Sequence, residues 1–251
     1  MRYKVLIGFK IVASRLSEFF NLTSKSSDKF GTLYNEEFKF YQSFFKNHKE
    51  NLVVLDIGAN SGDWALNFLE ISKEVNTTVF CVEPYPNLKL EKLSRTKNSI
   101  KIFNIGIGER DKINITFSDF GSGGSAYSKK SMNNSTEIKP IKLISGDEFI
   151  TSNKIVPTLI KIDVDGMDFE VIRSLRNSIN KYRPLVQFEF TKRFALQAGY
   201  TLSDCVKFFD AIDYEVFVID KNSKLKKIRF TKMEVIGIQT KNFIAIPSLP
   251  T

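Results

Sequence analysis

The sequence predicts a doubly wound, Rossmann-like α/β domain, in which a seven-stranded, mostly parallel sheet follows an N-terminal helical extension. From residue 51 onward, short apolar segments alternate with helical patterns. Strands that are apolar on both sides are typical of a parallel sheet covered by helices on each face. The expected strands are Leu52–Ile57, Thr78–Val82, Ile102–Ile105, Leu159–Asp163, Leu185–Phe190, Glu215–Ile219 and Phe243–Ile246.

The helical patterns between these strands have recognisable ends and faces. Thr201 is placed to cap a helix whose apolar side lies within residues 202–212, and Asp204 follows three positions later. A second helix is expected over residues 169–179, with Arg173 and Arg176 on its solvent side. These two segments support the alternation of strands and helices.

The first 50 residues form the predicted extension, and residues 51–251 form one Rossmann-like domain. Apolar positions near the start of the extension recur every three or four residues, which predicts an amphipathic helix. Such a helix packs on the domain, contacts a second copy in a homodimer, or docks on a membrane surface. The apolar positions are Val5, Phe9, Val12, Leu16 and Phe19.

Residues 111–144 also interrupt the alternation. Two strand-like pieces, Asn114–Phe117 and Ile138–Ile144, flank a polar loop rich in glycine and serine. We interpret this region as an insertion beside the functional site or as a plain hairpin.

Length and composition limit the class of protein. A chain of 251 residues with 42% hydrophobic and 26% charged residues suits one globular α/β domain. The sequence has no apolar run long enough for a membrane span, and its apolar start is too short for a secretory signal. Cys81 and Cys205 lack metal-binding spacing and are interpreted as core thiols. We therefore expect a cytoplasmic protein without a transmembrane segment.

The chain is basic, with a formal net charge of +9. The charge is spread along the sequence, apart from a modest lysine and arginine cluster within residues 221–232. A solvated surface accounts for such a distribution, so we expect no specific nucleic-acid partner.

The strongest functional signal is Val53–Gly62, where an apolar strand leads into a glycine turn and then into a helical pattern. Gly58 and Gly62 let the backbone bend tightly and approach a ligand closely, and N–H groups at a helix start suit an acidic group. The dinucleotide fingerprint G-x-G-x-x-G is absent. Asp56 at the strand end disfavours a pyrophosphate and suits a cationic ligand, such as a sulfonium amino acid.

A second signal is Glu83, which directly follows the second predicted strand. Doubly wound proteins use an acid at this position to bind the two hydroxyls of a ribose. A dinucleotide would use the same acid, so Glu83 alone decides little. Together with Asp56 and the glycine turn, it favours S-adenosylmethionine over NAD.

These residues resemble those of the FkbM family of S-adenosylmethionine-dependent methyltransferases. The resemblance implies a sheet of the class I methyltransferase type, S-adenosyl-L-methionine as cofactor, and O-methylation of a hydroxyl on a saccharide or other small molecule. The matching stretches are Leu55–Asn60, Val82–Pro84, Asn104–Gly108, Ile160–Gly166 and Pro184–Phe190. The expected cofactor-binding residues are Asp56, Gly58, Asn60, Gly62, Glu83 and Ile105.

Three acids are the expected catalytic residues. Asp163 ends one strand, Asp165 follows in the turn, and Glu189 lies near the end of the next strand. The carboxyl edge of an open α/β sheet is where ligands bind, so we expect these side chains to converge there. A hydroxyl becomes a good nucleophile when a base or a metal helps to remove its proton.

The acids leave alternatives open. One of them serves as general base or orients the acceptor, or several hold Mg²⁺ through oxygen ligands, although we assign no metal. Asp165 and Asp168 also suit a structural role at the start of the following helix. In the family, a further acid usually stands at the position of Asp168, and Glu usually stands at that of Asp165. The carboxylate at 165 is therefore carried on a shorter side chain here than in most family members, and its reach differs from theirs.

His48, the one histidine in the sequence, precedes the strand Leu52–Ile57. A six-residue strand spans about 20 Å, which places His48 near the opposite edge of the sheet. We therefore expect a surface histidine without a catalytic role.

Two other functions remain open at this point. An RNA methyltransferase is suggested by the charge of +9, and a catalytically inactive S-adenosylmethionine-binding partner protein would share the same cofactor motif. The missing dinucleotide fingerprint disfavours a nicotinamide oxidoreductase.

Overall fold

The apolar strands assemble into one eight-stranded sheet in the computed structural model, which describes residues 32–85, 88–109, 115–118, 138–219, 224–228 and 240–248. The strands of this sheet are β1 (Leu52–Ile57), β2 (Thr77–Val82), β3 (Ile100–Phe103), β8 (Leu159–Ile162), β9 (Leu185–Thr191), β10 (Tyr214–Ile219), β11 (Leu225–Lys227) and β12 (Thr240–Pro247). Their order in the sheet is β3-β2-β1-β8-β9-β12-β10-β11. The five strands from β3 to β9 are parallel, whereas β12, β10 and β11 each pair antiparallel with their neighbours.

The predicted Rossmann-like fold is confirmed. All seven expected strands belong to the large sheet, although the third begins and ends two residues earlier than predicted, at Ile100–Phe103. The eighth strand, Leu225–Lys227, was not expected. It has only three residues, two of them lysine, so it offers no apolar alternation from which an edge strand could be predicted.

Within the described residues, two smaller strand pairings lie outside this sheet. β4 (Gly106–Ile107) pairs in parallel with β7 (Leu143–Ile144), and β5 (Ile115–Ser118) pairs antiparallel with β6 (Ile138–Ile141). The polar loop between β5 and β6 lies outside the described residues, as does the amphipathic helix expected near the start of the chain.

Helices cover both faces of the large sheet. Side chains of the helices within residues 32–96 form one apolar layer, and those of the helices within residues 146–210 form the other. Alternate residues of each strand point to opposite layers, as Val54 and Leu55 of β1 do. The helices are α1 (Thr32–Phe45), α2 (Asp63–Ile71), α3 (Leu88–Thr96), α4 (Gly146–Ser152), α5 (Asp168–Ser174), α6 (Arg176–Tyr182), α7 (Lys192–Ala198) and α8 (Leu202–Asp210).

The helix α8 has the predicted cap, since the Asp204 carboxylate accepts a hydrogen bond from the Thr201 N–H at 2.8 Å. The single helix predicted over residues 169–179 is wrong. It is divided at Leu175, whose N–H bonds to the carbonyl oxygen of Ile172 rather than one residue further back. The apolar spacing continues across this break, so the pattern alone could not reveal it.

The prediction for His48 as a surface residue is also wrong. Its side chain is 6% exposed and packs edge-on against Phe45 at the end of α1. The length of β1 indicated only which edge of the sheet His48 lies near, and it did not show that Phe45 of α1 would pack against the histidine there. Cys81 and Cys205 are buried, as predicted for core thiols.

The part of the chain that the structure describes holds no helix with the length and apolar character needed to cross a membrane.

Candidate active site

The turn after β1 is held tightly at the carboxyl edge of the sheet. The Gly58 N–H donates to the carbonyl oxygen of Val82 at 2.9 Å, and the Gly62 N–H donates to that of Ala59 at 2.8 Å. Gly58 adopts a φ of 79°, in the left-handed region that favours glycine. The turn therefore passes from β1 into α2 through a fixed backbone path beside β2.

Glycine at position 58 is also required by the neighbouring strand. A Cβ atom added there would lie 1.9 Å from the carbonyl oxygen of Asp163, which follows β8. The Asp163 N–H in turn donates to the carbonyl oxygen of Ile57 at 3.0 Å. The ends of β1 and β8 thus lie in direct backbone contact, which brings the cofactor turn next to the predicted acids.

Glu83 is anchored at the end of β2. One carboxylate oxygen accepts the Asn60 N–H at 2.9 Å, and the other accepts the Tyr85 N–H at 3.2 Å. Burial raises the pKa of the Glu83 carboxyl, although these two hydrogen bonds oppose the shift. Each carboxylate oxygen has a second lone pair, so the anchored group can still accept hydroxyl donors.

Asp56 does not face open solvent, because its side chain is fully buried and lies against Lys161. The Lys161 Nζ is 3.1 Å from Asp56 Oδ1, and the two residues stand opposite each other in the register of β1 and β8. Burial raises the pKa of the Asp56 carboxyl, and the neighbouring ammonium opposes that shift. The direct cofactor contact predicted for Asp56 stays a prediction, and the observed partner is the lysine.

Lys161 also reaches the predicted catalytic acids. Its Nζ lies 3.3 Å from Asp163 Oδ2 and donates to the carbonyl oxygen of Gly58 at 3.1 Å. Burial by itself would lower the pKa of this ammonium, but Asp163 and Asp56 outweigh burial and raise it. The lysine is therefore charged in the folded protein.

The three predicted catalytic acids converge. Asp163, Asp165 and Glu189 each offer a carboxylate oxygen, and these oxygens all lie within 4.8 Å of one another. Burial and the Asp163 carboxylate raise the pKa of Asp165 to about 6. Burial, Asp163 and Asp165 raise the pKa of Glu189 to about 7. The cluster combines a half-exposed Asp163 with two carboxyls that titrate near neutral pH.

Asp168 accepts hydrogen bonds from the backbone of the turn before its own helix. Its two carboxylate oxygens accept the N–H groups of Val164 and Gly166, at 3.2 and 3.0 Å. Burial and the Asp163 charge raise the pKa of Asp168 to about 8. The sequence left a structural role at the start of the helix open for both Asp165 and Asp168. The observed contacts show that Asp168 holds the turn before α5.

The first turns of α1 approach the same edge of the sheet. The buried Glu37 carboxylate accepts hydrogen bonds from Trp64 Nε1 at 2.7 Å and from Asn242 Nδ2 at 2.8 Å. Trp64 follows the cofactor turn, and Asn242 stands opposite Glu189 in the register of β9 and β12. Glu37 thus connects α1 to the helix after the glycine turn and to the strand beside Glu189.

Sequence reasoning found most of these residues, but it assigned no role to Lys161, which lies in the matching stretch Ile160–Gly166, and it did not single out Glu37. Ile105 lies just after β3, partly buried against the core, and its cofactor role stays a prediction. A lysine inside the apolar strand Leu159–Ile162 was a usable signal, because a buried cation needs a partner. Glu37 gave no such signal, since it lies in a segment without a motif.

A sheet of this strand order, with β12 antiparallel to its neighbours, a glycine turn after β1 and an acid after β2, has the architecture of a class I methyltransferase. The model of the methyltransferase FkbM domain matches residues 56–234. The chain therefore belongs to the FkbM methyltransferase family, as its motifs predicted.

Several solved methyltransferase structures are similar to this chain. The CurJ carbon methyltransferase is 8% identical, with a TM-score of 0.50 over 86% of this chain and 54% of that one. The methyltransferase FkbM from Methylobacillus flagellatus KT is 14% identical, with a TM-score of 0.45 over 96% of this chain and 58% of that one. The precorrin-6y C5,15-methyltransferase from Geobacter metallireducens GS-15 is 12% identical, with a TM-score of 0.45 over 94% and 96% of the two chains. No curated protein matches this sequence significantly.

The contact between the two strand ends gives a matched pair of glycine substitutions. Gly58→Ala and Gly199→Ala both place a side chain at a positive φ, 79° and 81°, but only the first meets a backbone oxygen, whereas the second meets open space. Left-handed strain alone costs roughly 1–2 kcal/mol. We expect Gly199→Ala to lose about that much and Gly58→Ala to lose clearly more, as measured by urea unfolding. Equal losses would contradict the close approach of Gly58 to Asp163.

Proposed function

We propose that this protein is an S-adenosylmethionine-dependent O-methyltransferase that acts on a hydroxyl of a saccharide or another small molecule. The observation that supports it is the position of the acid cluster. Asp163, Asp165 and Glu189 converge at the sheet edge, and the backbone of Asp163 contacts the glycine turn at Gly58. A methyl donor in that turn and a hydroxyl at the acids would be neighbours.

The residues at the turn fit S-adenosylmethionine. The bare Cα of Gly58 leaves no side chain between the turn and the strand ends, and Glu83 is held by two backbone N–H groups with lone pairs to spare. Glu83 would bind the ribose hydroxyls, and the turn from Gly58 to Gly62 would lie along the amino-acid portion. When bound, the cofactor supplies a methyl group activated on a sulfonium sulfur.

Glu189 is the best general base among the three acids. A base works best when its pKa lies near the working pH, and burial together with Asp163 and Asp165 raises the pKa of Glu189 to about 7. Its carboxylate would take the proton of the acceptor hydroxyl as the oxygen attacks the methyl carbon. Thr191 Oγ1 donates to Glu189 Oε2 at 3.3 Å, which leaves Oε1 for the acceptor.

Asp163 is better suited to orient the acceptor. Its Oδ2 lies 3.3 Å from the Lys161 ammonium, and this ion pair holds the carboxylate in a defined position. The side chain is still 44% exposed, so it can accept a hydrogen bond from the substrate. Correct alignment of a bound nucleophile can remove roughly 7–11 kcal/mol of a barrier in favourable cases.

The cofactor assignment predicts the behaviour of Glu83→Gln. This change keeps the shape of the side chain but removes the charge that accepts two ribose hydroxyls. We expect the dissociation constant for S-adenosylhomocysteine to rise at least tenfold, which corresponds to about 1.4 kcal/mol. Isothermal titration calorimetry measures it, with Glu91→Gln on the exposed side of α3 as control. Equal affinity in both variants would remove Glu83 from the cofactor site.

The base assignment predicts a pH profile. Because Glu189 acts in its ionised form, turnover should rise with pH through about 7 and then level off. Glu189→Gln should lower turnover by roughly 10²–10⁴-fold and abolish this limb. Asp163→Asn should move the limb to lower pH, because the Asp163 charge raises the pKa of Glu189.

These profiles are measured on one hydroxylated acceptor found by screening a saccharide and small-molecule library with labelled S-adenosylmethionine. A limb that persists unchanged in Glu189→Gln would assign the base elsewhere.

The same cluster predicts the response to chelation. The Lys161 ammonium already neutralises part of the charge of Asp163 at 3.3 Å, so we expect turnover to survive exhaustive treatment with EDTA. A loss of activity that Mg²⁺ restores would show instead that the three carboxylates bind a cation.

A further inference from the structure

Lys161 has three oxygen partners inside the protein. Its ammonium donates a hydrogen bond to the Gly58 carbonyl oxygen at 3.1 Å and forms ion pairs with Asp56 Oδ1 at 3.1 Å and Asp163 Oδ2 at 3.3 Å. The side chain is only 5% exposed. The position and direction of the ammonium are therefore determined by these three groups.

The location of this lysine is unusual for a merely structural residue. Its neighbours in β8, Leu159, Ile160 and Ile162, are all fully buried and apolar. Burying an ammonium is costly even when it is paired, and apolar residues of similar size often replace such pairs without loss of stability. A role beyond stability would explain a cation at this position.

The three partners belong to different parts of the site. Gly58 begins the cofactor turn, Asp163 belongs to the acid cluster, and Asp56 lies near the end of β1. One ammonium that donates a hydrogen bond to Gly58 and forms an ion pair with Asp163 limits how far these groups can move relative to each other. In-line transfer depends on that relative position.

We propose that Lys161 is a positioning residue, which fixes the Gly58 turn and the Asp163 carboxylate relative to each other for methyl transfer. It acts through Gly58 and Asp163 and does not contact the reacting atoms. The inference rests on the proposed function only where cofactor binding is measured, because the turn can also be observed without any ligand.

Hydrogen exchange on the ligand-free protein is the first test. The N–H groups of Gly58, Asn60 and Gly62 all donate within the site. In Lys161→Met, a peptide covering residues 55–63 should exchange at least tenfold faster than in the wild type, whereas peptides from the paired strands β9 and β12 should not change. A uniform acceleration across the protein, or no acceleration in the turn, would overturn the proposal.

Calorimetric titration with S-adenosylhomocysteine is the second test, at a temperature where circular dichroism shows each variant folded. Lys161→Met should bind at least tenfold more weakly than the wild type. Lys227→Met breaks a lysine–glutamate pair on the far strand β11 and should bind within about twofold of the wild type. A folded Lys161→Met with wild-type affinity and a protected turn would overturn the proposal.

Lys161→Met leaves Asp56 buried without its partner, which can prevent folding. A second comparison removes this problem: the double variant Asp56→Asn/Lys161→Met is compared with Asp56→Asn alone. The same local acceleration of exchange is expected, and its absence would contradict the proposal. If the wild type itself fails to bind S-adenosylhomocysteine, the proposed function fails, while the exchange data still decide the role of Lys161.

Discussion

A buried ion pair between Asp56 and Lys161 determines how the carboxyl edge of this sheet is arranged. The two residues stand opposite each other in adjacent parallel strands, on the face covered by α1, α2 and α3. Removal of the lysine alone would leave the Asp56 carboxylate buried without its cationic partner. The pair therefore constrains the end of β1, where the glycine turn begins, together with the end of β8, where the acids begin.

The electrostatics of the site follow from this arrangement. One ammonium faces several carboxylates, so it cannot neutralise all of them. Asp163 lies beside the cation, whereas burial and the neighbouring carboxylates raise the pKa of Asp165 to about 6 and that of Glu189 to about 7. Burial, more than the lysine, therefore gives acids of the same chemical type different electrostatic surroundings.

The helix α1, which packs on one face of the sheet, also contacts the site through buried polar side chains. Glu37 binds Trp64 beside the cofactor turn and Asn242 opposite Glu189, and Tyr41 bonds to Gln187 in β9. Polar groups of α1 thus meet the polar residues of the sheet, and apolar side chains surround them. Burial raises the pKa of Glu37, although its hydrogen bonds oppose the shift. This segment is part of the support of the site rather than a separate appendage.

The sequence by itself determined seven of the eight strands described in the large sheet, together with the glycine turn and the convergence of the three acids. Each of these is marked by a local pattern, and parallel strands bring their carboxyl ends to one edge. The sequence did not determine the partner of Asp56, which is 105 residues away, nor the burial of His48, the break at Leu175 or the contacts of Glu37. The contacts of Asp56 and Glu37 join residues far apart in the chain, so they depend on strand register and on how helices pack across the sheet. A lysine in an apolar strand signals that a partner exists, but the sequence does not show which acid it meets. His48 and Leu175 contact near neighbours, and yet their local patterns resemble those of an exposed residue and of a continuous helix, so only the packed structure distinguishes them.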